Sequence, residues 1–280
     1  MGGSLLSQPW RPLPETKESL NFVKSYKPKN KEVKHLRILL QGPVGAGKSS
    51  FINSVDSVLQ GRVTGRALTD AISGKSFTRK YKSYKMRKDE QNYCSFILND
   101  IMGFEKNTCD GVHKKDIILA LMGHMKEGYE FTPGKRLMEN DRNYYSCPTP
   151  DDKVHVLVSV VPAGLVSILS DDIFKKMRDV RIAASEIGIP QIALLTKVDE
   201  ACPKVRKDIK NIYKSKYLKE KSLFLKVLIF HKLLGIPLNC IFLVENYDST
   251  FQINNDKNAQ ILCALRKMIE LGEDYLNELE

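Results

Sequence analysis

The feature that most constrains this chain is a glycine-rich run at residues 42–49, with the sequence GPVGAGKS. It fits the pattern G-x-x-x-x-G-K-[S/T], and it follows a short apolar run, residues 36–40, that predicts a buried strand. Apolar residues then recur at helical spacing as far as residue 59. A strand, a glycine-rich loop and a helix in this order are the context that supports a phosphate-binding loop. We therefore expect a parallel β-sheet with a phosphate site where its strands end.

Each residue type in this loop has a chemical reason. Glycines let backbone N–H groups converge on a phosphate, and the helix that follows adds the positive end of its dipole. We expect Lys48 to neutralise β- and γ-phosphate oxygens and Ser49 to coordinate Mg²⁺. The predicted phosphate-binding residues are Gly42, Val44, Gly45, Ala46, Gly47, Lys48, Ser49, Ser50 and, from the next motif, Gly103.

A second motif, D-x-x-G, fills residues 100–103 directly after an apolar run at residues 93–98. In a Ras-like protein the aspartate of this motif lies near magnesium, usually through a water, and the glycine N–H lies beside the γ-phosphate. We therefore predict that Ser49 and Asp100 hold Mg²⁺. A threonine that reaches the metal when GTP is bound should complete this site. Our candidate is Thr78, with Thr69 and Thr64 as rivals.

A third motif indicates the base. The sequence TKVD at residues 196–199 follows an apolar run and matches the [N/T]-K-x-D signature of guanine-binding proteins. Its aspartate can accept hydrogen bonds from N1–H and the exocyclic amine of guanine, so adenine would leave this carboxylate unpaired. The lysine stem would lie along the purine face. The predicted guanine-binding residues are Thr196, Lys197 and Asp199, with Glu245 or Asn246 from the loop after the last strand.

Apolar runs of strand length alternate with amphipathic patterns along the rest of the chain. Further strands are predicted at residues 154–161, 192–195 and 240–244, and further helices at residues 117–125, 172–187, 204–213, 218–234 and 258–279. This alternation predicts a three-layer α/β fold, with a mostly parallel six-stranded Ras-like P-loop sheet and helices on both faces. We divide the chain into an N-terminal extension or linker (1–34) and a nucleotide-binding domain (35–280), with an insertion after the D-x-x-G element at about residues 104–153.

The basic run RKYKSYKMRK at residues 79–88 has two interpretations. It lies where the second, edge strand of a Ras-like sheet belongs, and lysines protect an exposed edge from pairing with other chains. Its interleaved tyrosines would also suit the stacking of nucleic-acid bases. We favour the edge strand and keep RNA binding as the alternative.

Composition narrows the class of protein. An apolar fraction of 42% excludes a globally disordered chain, and a net charge of +11 suits nucleic acid, an anionic membrane or an acidic protein partner. No run is long and apolar enough to predict a transmembrane helix. The six cysteines form no C-x-x-C pair, and we see no signal peptide, so we expect a reducing, cytoplasmic location.

Several segments of the chain together resemble the interferon-induced protein 44 and 44-like family. They are Pro9-Trp10-Arg11, ILLQGPVGAGKSSFIN at residues 38–53, Asp100-Ile101-Met102-Gly103, Gly123-His124 and residues 194–199. The resemblance covers nearly the whole chain. It implies a Ras-like GTP-binding fold, a cytoplasmic location, induction by interferon and a part in antiviral defence.

Two positions argue against fast hydrolysis of GTP. Small GTPases place a water-orienting glutamine directly after D-x-x-G, and this chain has Phe104 there. The third loop position, often glycine, is Val44, whose side chain crowds the same space. We therefore expect a slow or partner-dependent GTPase whose nucleotide state controls self-association or binding of a protein partner. The alternatives are a nucleotide-stabilised scaffold without turnover and a basic RNA-binding protein.

Overall fold

The strand order decides the fold class. The computed structural model describes residues 4–67, 79–105, 111–132, 134–230, 237–247 and 252–279, with side chains of the helix that ends at residue 230 described only to residue 223. Its six strands are β1 (Leu36–Gln41), β2 (Lys82–Arg87), β3 (Tyr93–Asp100), β4 (Val156–Pro162), β5 (Gln191–Thr196) and β6 (Ile241–Leu243). They lie in the order β2-β3-β1-β4-β5-β6, with β2 antiparallel to β3 and the other pairs parallel. The predicted Ras-like sheet is confirmed.

Helices cover both faces of this sheet. They are α1 (Thr16–Ser25), α2 (Lys48–Gln60), α3 (Lys114–Leu121), α4 (Asp171–Glu186), α5 (Val198–Ala201), α6 (Pro203–Lys207), α7 (Lys216–Phe230) and α8 (Asn255–Glu278). On one face α8 contacts α1, α2 and the central strands, so closely that a Cβ on Gly272 would lie 2.6 Å from Leu36 Cδ1. Helices α3 and α4 pack against each other and α4 contacts β4. In the described part of the chain no helix is both long and apolar enough to cross a bilayer.

Two predicted helices end early, each for a local reason. The helix expected at residues 204–213 stops at Lys207, because Asp208 is extended and its side chain accepts a hydrogen bond from Lys210 N. The helix expected to reach residue 125 stops at Leu121, and Gly123 follows with φ 84°. A Cβ there would come within 2.9 Å of Pro148 Cβ, so glycine permits both the turn and the close approach.

The segment before β1 packs on the domain. Trp10 meets the Tyr213 ring edge-on with centroids 4.9 Å apart, and the Arg11 guanidinium donates to Leu238 O and Ile241 O at 2.5 and 2.6 Å. The same guanidinium lies 4.7 Å from the centre of the Phe242 ring. The predicted extension therefore begins with a strap, residues 4–11, that is fastened to β6 and to the chain before α7.

The basic run forms the edge strand that we favoured. Side chains alternate along it, with Tyr84 and Met86 on the buried face. Tyr81, which precedes the strand, is also buried, so the two tyrosines are only 4% and 6% exposed. These two rings are therefore too buried to stack on bases, and RNA binding stays a prediction that would have to use other side chains. The insertion covers the start of this edge through hydrogen bonds from Tyr81 N to Tyr129 O and from Phe131 N to Arg79 O, each 2.8 Å long.

Candidate functional site

The phosphate loop joins β1 to α2 through glycines in conformations that other residues avoid. Gly45 and Gly47 have φ values of 71° and 89°, and a Cβ on Gly42 would lie 2.1 Å from Val160 O. Lys48 begins α2 and turns back over the loop, where its ammonium donates to Gly42 O and Pro43 O at 3.1 Å. Burial lowers the pKa of Lys48 to about 8, and the nearby Asp100 opposes that shift.

The two predicted metal ligands lie side by side. The Ser49 hydroxyl donates to Asp100 Oδ2 at 2.6 Å, which joins the start of α2 to the end of β3. Magnesium takes few protein ligands and completes its octahedron with waters and phosphate oxygens, so a hydroxyl beside a carboxylate suits it. Nowhere in the described residues do three His, Cys, Asp or Glu side chains form a metal cluster. The donors present therefore fit a magnesium ion that arrives with a phosphate.

The structure bears on one of the three candidates for the switch threonine. Thr64 is fastened to the back of α2, where its N–H donates to Ser57 Oγ at 2.9 Å and its hydroxyl to Asn53 O at 3.4 Å. Ser57 lies roughly 12 Å along the helix axis from Ser49. Thr64 therefore lies away from the metal ligands in this structure. The other candidates, Thr78 and Thr69, lie outside the described residues.

The D-x-x-G element is locked against the phosphate loop. Phe104 N donates to Gly42 O and Val44 N donates to Phe104 O, both at 3.1 Å. A Cβ on Gly103 would lie 2.7 Å from Val44 N, so only glycine permits this approach. The Phe104 side chain is 1% exposed and packs in the core. The position that carries a water-orienting glutamine in small GTPases thus holds a buried apolar ring.

The predicted base-recognition residues are hydrogen-bonded to the same loop. Thr196 Oγ1 donates to Ala46 O at 2.6 Å, and Asn246 Nδ2 donates to Gly47 O at 3.2 Å. Lys197, directly after Thr196, takes a left-handed conformation with φ 53°, which is energetically unfavourable for a non-glycine residue. Asp199 lies in the first turn of α5 and is partly exposed. The structure thus brings the phosphate and base motifs, which are distant in sequence, to one edge of the sheet.

Glu245 and Asn246 differ in their surroundings. The Glu245 carboxylate pairs with Lys257 of α8 at 2.5 Å, and burial followed by the charge of Asp199 raises the pKa of Glu245 even though Lys257 opposes this. Asn246 Oδ1 is buried, and no group among the described residues donates to it. Asn246 therefore has an acceptor to offer a base, whereas Glu245 already has a cation. Sequence reasoning missed Lys257, because no local pattern joins it to Glu245.

The neighbouring Tyr247 is another residue that sequence reasoning missed. Its N–H donates to Ser54 Oγ of α2 at 2.9 Å, and its hydroxyl donates to Asn258 Oδ1 of α8 at 2.8 Å. These bonds hold the loop after β6 between the helix of the phosphate loop and the last helix. The predicted base loop is therefore positioned by both.

Comparison with known proteins connects this site to a family. The chain is 34% identical over 265 residues to interferon-induced protein 44 of Mus musculus, covering 93% of this chain and 60% of that protein. It is 32% identical over 264 residues to the Homo sapiens protein of the same name and 34% identical over 259 residues to Homo sapiens interferon-induced protein 44-like. The chain is a homologue of the interferon-induced 44 proteins. It spans 56–60% of the length of these relatives.

No protein-family model matches this chain, and the solved structures that resemble it are more distant. Toc33 from Arabidopsis thaliana, solved in complex with GDP and Mg²⁺, aligns over 95% of this chain and 93% of its own at 15% identity and a TM-score of 0.48. SsGBP, solved with GDP, aligns over 94% of this chain and 55% of its own at 15% identity and a TM-score of 0.37. Neither likeness adds to the strand order observed directly.

Proposed function

We propose that this homologue binds a guanine nucleotide with Mg²⁺, hydrolyses GTP slowly or only with a partner, and acts in interferon-induced antiviral defence. The observation that carries the nucleotide proposal is the pair of hydrogen bonds from Thr196 to Ala46 O and from Asn246 to Gly47 O. Through them the residues expected to read the base are held at a fixed position relative to the loop expected to hold the phosphates. Such coupling suits a ligand that has a base and a phosphate chain in one molecule.

Each residue then has a definite task. Lys48 and the loop N–H groups bind the phosphates, and the Lys48 ammonium would exchange its two carbonyl partners for phosphate oxygens. Ser49 and Asp100 would hold magnesium, which when bound neutralises charge on the β- and γ-phosphates. Asp199 accepts from the guanine edge. Thr196 and Asn246 hold the base-binding segment against the loop.

Slow hydrolysis follows from Phe104 and Val44. Phe104 has no side-chain hydrogen-bonding group, and both its backbone N–H and its carbonyl are bound to the phosphate loop. The phenylalanine side chain at this position therefore cannot orient an attacking water. We expect turnover at or below ~10⁻³ s⁻¹, the intrinsic scale of Ras-like proteins, in single-turnover assays of the isolated chain. A rate near ~1 s⁻¹ would show that another group performs this task.

The test of the base uses Asp199→Asn. The wild type should bind GDP at least ~100-fold more tightly than ADP when Mg²⁺ is present, because adenine leaves the carboxylate unpaired. Xanthine has a carbonyl where guanine has its amine, so the amide of the variant should restore binding to xanthosine diphosphate while GDP binding weakens. Glu200→Gln is the matched control, because it removes the neighbouring charge, which pairs with Lys197 at 3.5 Å. Equal affinity of the wild type for GDP and ADP would refute the guanine assignment.

The same titration separates nucleotide binding from hydrolysis and from scaffolding. Lys48→Ala should weaken every nucleoside diphosphate alike, since it removes charge from the phosphate site and leaves the base contacts intact. A chain that binds GDP selectively but shows no single-turnover hydrolysis would be the nucleotide-stabilised scaffold. Sedimentation with GDP and with a non-hydrolysable GTP analogue tests whether nucleotide state controls association.

A further inference from the structure

A cleft of about 690 Å³ lies along β2 and β3 on one face of the sheet, and it extends from Tyr93 at the start of β3 to Ser83, which pairs with Asn99 near the end of β3. Its floor includes Arg37 near the start of β1 and Tyr93 at the start of β3, whereas the phosphate loop follows the end of β1. Its walls come from β2 and from the insertion, through Lys126 and Tyr145. None of the motifs assigned to the nucleotide contributes to it.

The strand register places two cations abreast on this floor. Arg37 of β1 and Lys85 of β2 both pair with Ile97 of β3, so they flank it on one face of the sheet. Neighbouring strands are about 4.8 Å apart, which separates the two backbone positions by roughly 10 Å. Tyr93 precedes Ile97 by four positions and therefore shares its face. Its side chain is 49% exposed, and Tyr145 across the cleft is 36% exposed.

The charge of the lining is positive. Four cations, Arg37, Arg66, Lys85 and Lys126, face two carboxylates, Glu127 and Asp152. Both carboxylates already accept hydrogen bonds: Glu127 from Ser83 N at 3.0 and 3.1 Å, and Asp152 from the N–H and hydroxyl of Thr149 at 2.9 and 2.7 Å.

Lys85 is the cation best placed to meet an anionic ligand. It is exposed, and its ammonium has no hydrogen-bond or ion-pair partner among the residues that the structure describes. The other three cations are partly engaged, since Arg66 pairs with Asp56 and both Arg37 and Lys126 donate to backbone carbonyls.

The backbone edge beside the cleft is closed. Three backbone groups of β2 on this edge are already hydrogen-bonded to side chains. Ser83 N donates to the Glu127 carboxylate, Lys85 O accepts from Arg66 at 3.0 Å, and Arg87 O accepts from Gln60 Nε2 at 2.9 Å. An extended peptide therefore cannot add as a strand to β2 by pairing with these groups. A ligand of this cleft must be recognised by exposed rings and cations instead.

We propose that this cleft binds a single-stranded nucleic acid. A strand combines planar bases with phosphates at short intervals, which matches a floor that combines an exposed ring with adjacent cations. Tyr93 stacks on a base, and Lys85 and Arg37 contact phosphates. An acidic peptide would satisfy the cations but has no repeating planar group for the rings. This site is separate from the guanine-nucleotide site, because none of the residues assigned to the nucleotide lines the cleft.

The test measures fluorescence anisotropy of a labelled oligouridine of about 12 nucleotides, a length within the site sizes known for single-strand binders. The full chain is first saturated with GDP and Mg²⁺, so that the phosphate loop cannot capture the probe. Lys85→Ala should weaken binding about 5-fold and make the salt dependence of log Kd shallower by about one. Tyr93→Ala should weaken it about 5- to 100-fold, whereas Tyr93→Phe retains the ring and should bind like the wild type.

The matched control is Lys82→Ala. Lys82 is also exposed on β2, so replacing it removes the same charge as replacing Lys85. It lies outside the cleft, with its ammonium 4.9 Å from the centre of the Tyr84 ring. It should bind the probe within about 2-fold of the wild type. Equal losses for Lys82→Ala and Lys85→Ala would overturn the proposal, because binding would then depend on net charge alone. So would full competition by polyglutamate, or uridine monophosphate binding as tightly as the oligonucleotide.

Discussion

Arg11 should be one of the most sensitive positions for stability outside the central sheet. Its guanidinium donates to two carbonyls, Leu238 O and Ile241 O, and lies within 4.7–5.5 Å of the centres of three aromatic rings. A hydrogen bond from a charged donor contributes about 1.5–3 kcal/mol, and a partly exposed cation–π contact about 0.5–1 kcal/mol. Because Arg11 is only partly buried and these contacts overlap, we take the lower values and expect Arg11→Ala to cost about 2–4 kcal/mol.

The assay is equilibrium unfolding in urea, followed by tryptophan fluorescence, since Trp10 lies beside this site. Arg11→Lys should recover less than half of the loss, because an ammonium cannot donate to two separated carbonyls in the geometry of the guanidinium fork. Arg62→Ala, at an exposed arginine with no ion pair among the described residues, is the control. A loss below about 0.5 kcal/mol for Arg11→Ala would refute this reasoning and show that the strap is only loosely held.

Three further outcomes follow from buried groups. The Nδ1 atom of His155 accepts a hydrogen bond from Arg37 N, and burial lowers the pKa of His155 to about 4. Because the unfolded chain then binds a proton that the folded chain does not, the free energy of unfolding should fall as the pH drops from about 6.5 to 4. Urea titrations at several pH values should show this slope, and His155→Asn should remove it. Phe104→Ala should cost about 3–5 kcal/mol of unfolding free energy, because it empties a fully buried site, and a smaller loss would show that the ring is mobile. Thr196→Val should lower the free energy of unfolding by about 1–3 kcal/mol, measured by calorimetry, because it leaves the buried Ala46 O without its donor.

The sequence predicted best what depends on contiguous residues. The loop at residues 42–49 and the D-x-x-G element are local patterns, and each follows a strand that an apolar run predicts. Strand order followed from these, because a parallel sheet with this loop after β1 has few arrangements. The edge strand was predictable for the same reason, since inward-facing Tyr84 and Met86 alternate with exposed Lys85 and Arg87.

What the sequence did not predict depends on contacts between distant residues or on competition at one residue. Arg11 meets partners that are 227 and 230 positions away, and no periodicity encodes such a contact. Asp208 breaks a helical pattern because its side chain caps Lys210 N, an alternative that apolar spacing cannot reveal. The cleft beside β2 needed the insertion to fold back as its wall, which only the structure shows.

The burial of Phe104 restricts how nucleotide state could control association. If GTP binding carried this ring to the surface, the ring would have to leave the core, where it is 1% exposed. Moving a phenylalanine side chain into water costs about 1.5–3 kcal/mol, and the two hydrogen bonds that fasten Phe104 to Gly42 and Val44 must break as well. A contact between Gly103 N–H and the γ-phosphate would have to exceed that sum, since a ligand shifts an equilibrium only by its differential affinity. One hydrogen bond to a charged group is worth about 1.5–3 kcal/mol, which is not enough by itself. A nucleotide-dependent interface in this homologue is therefore better sought in a surface that can change while Phe104 stays buried.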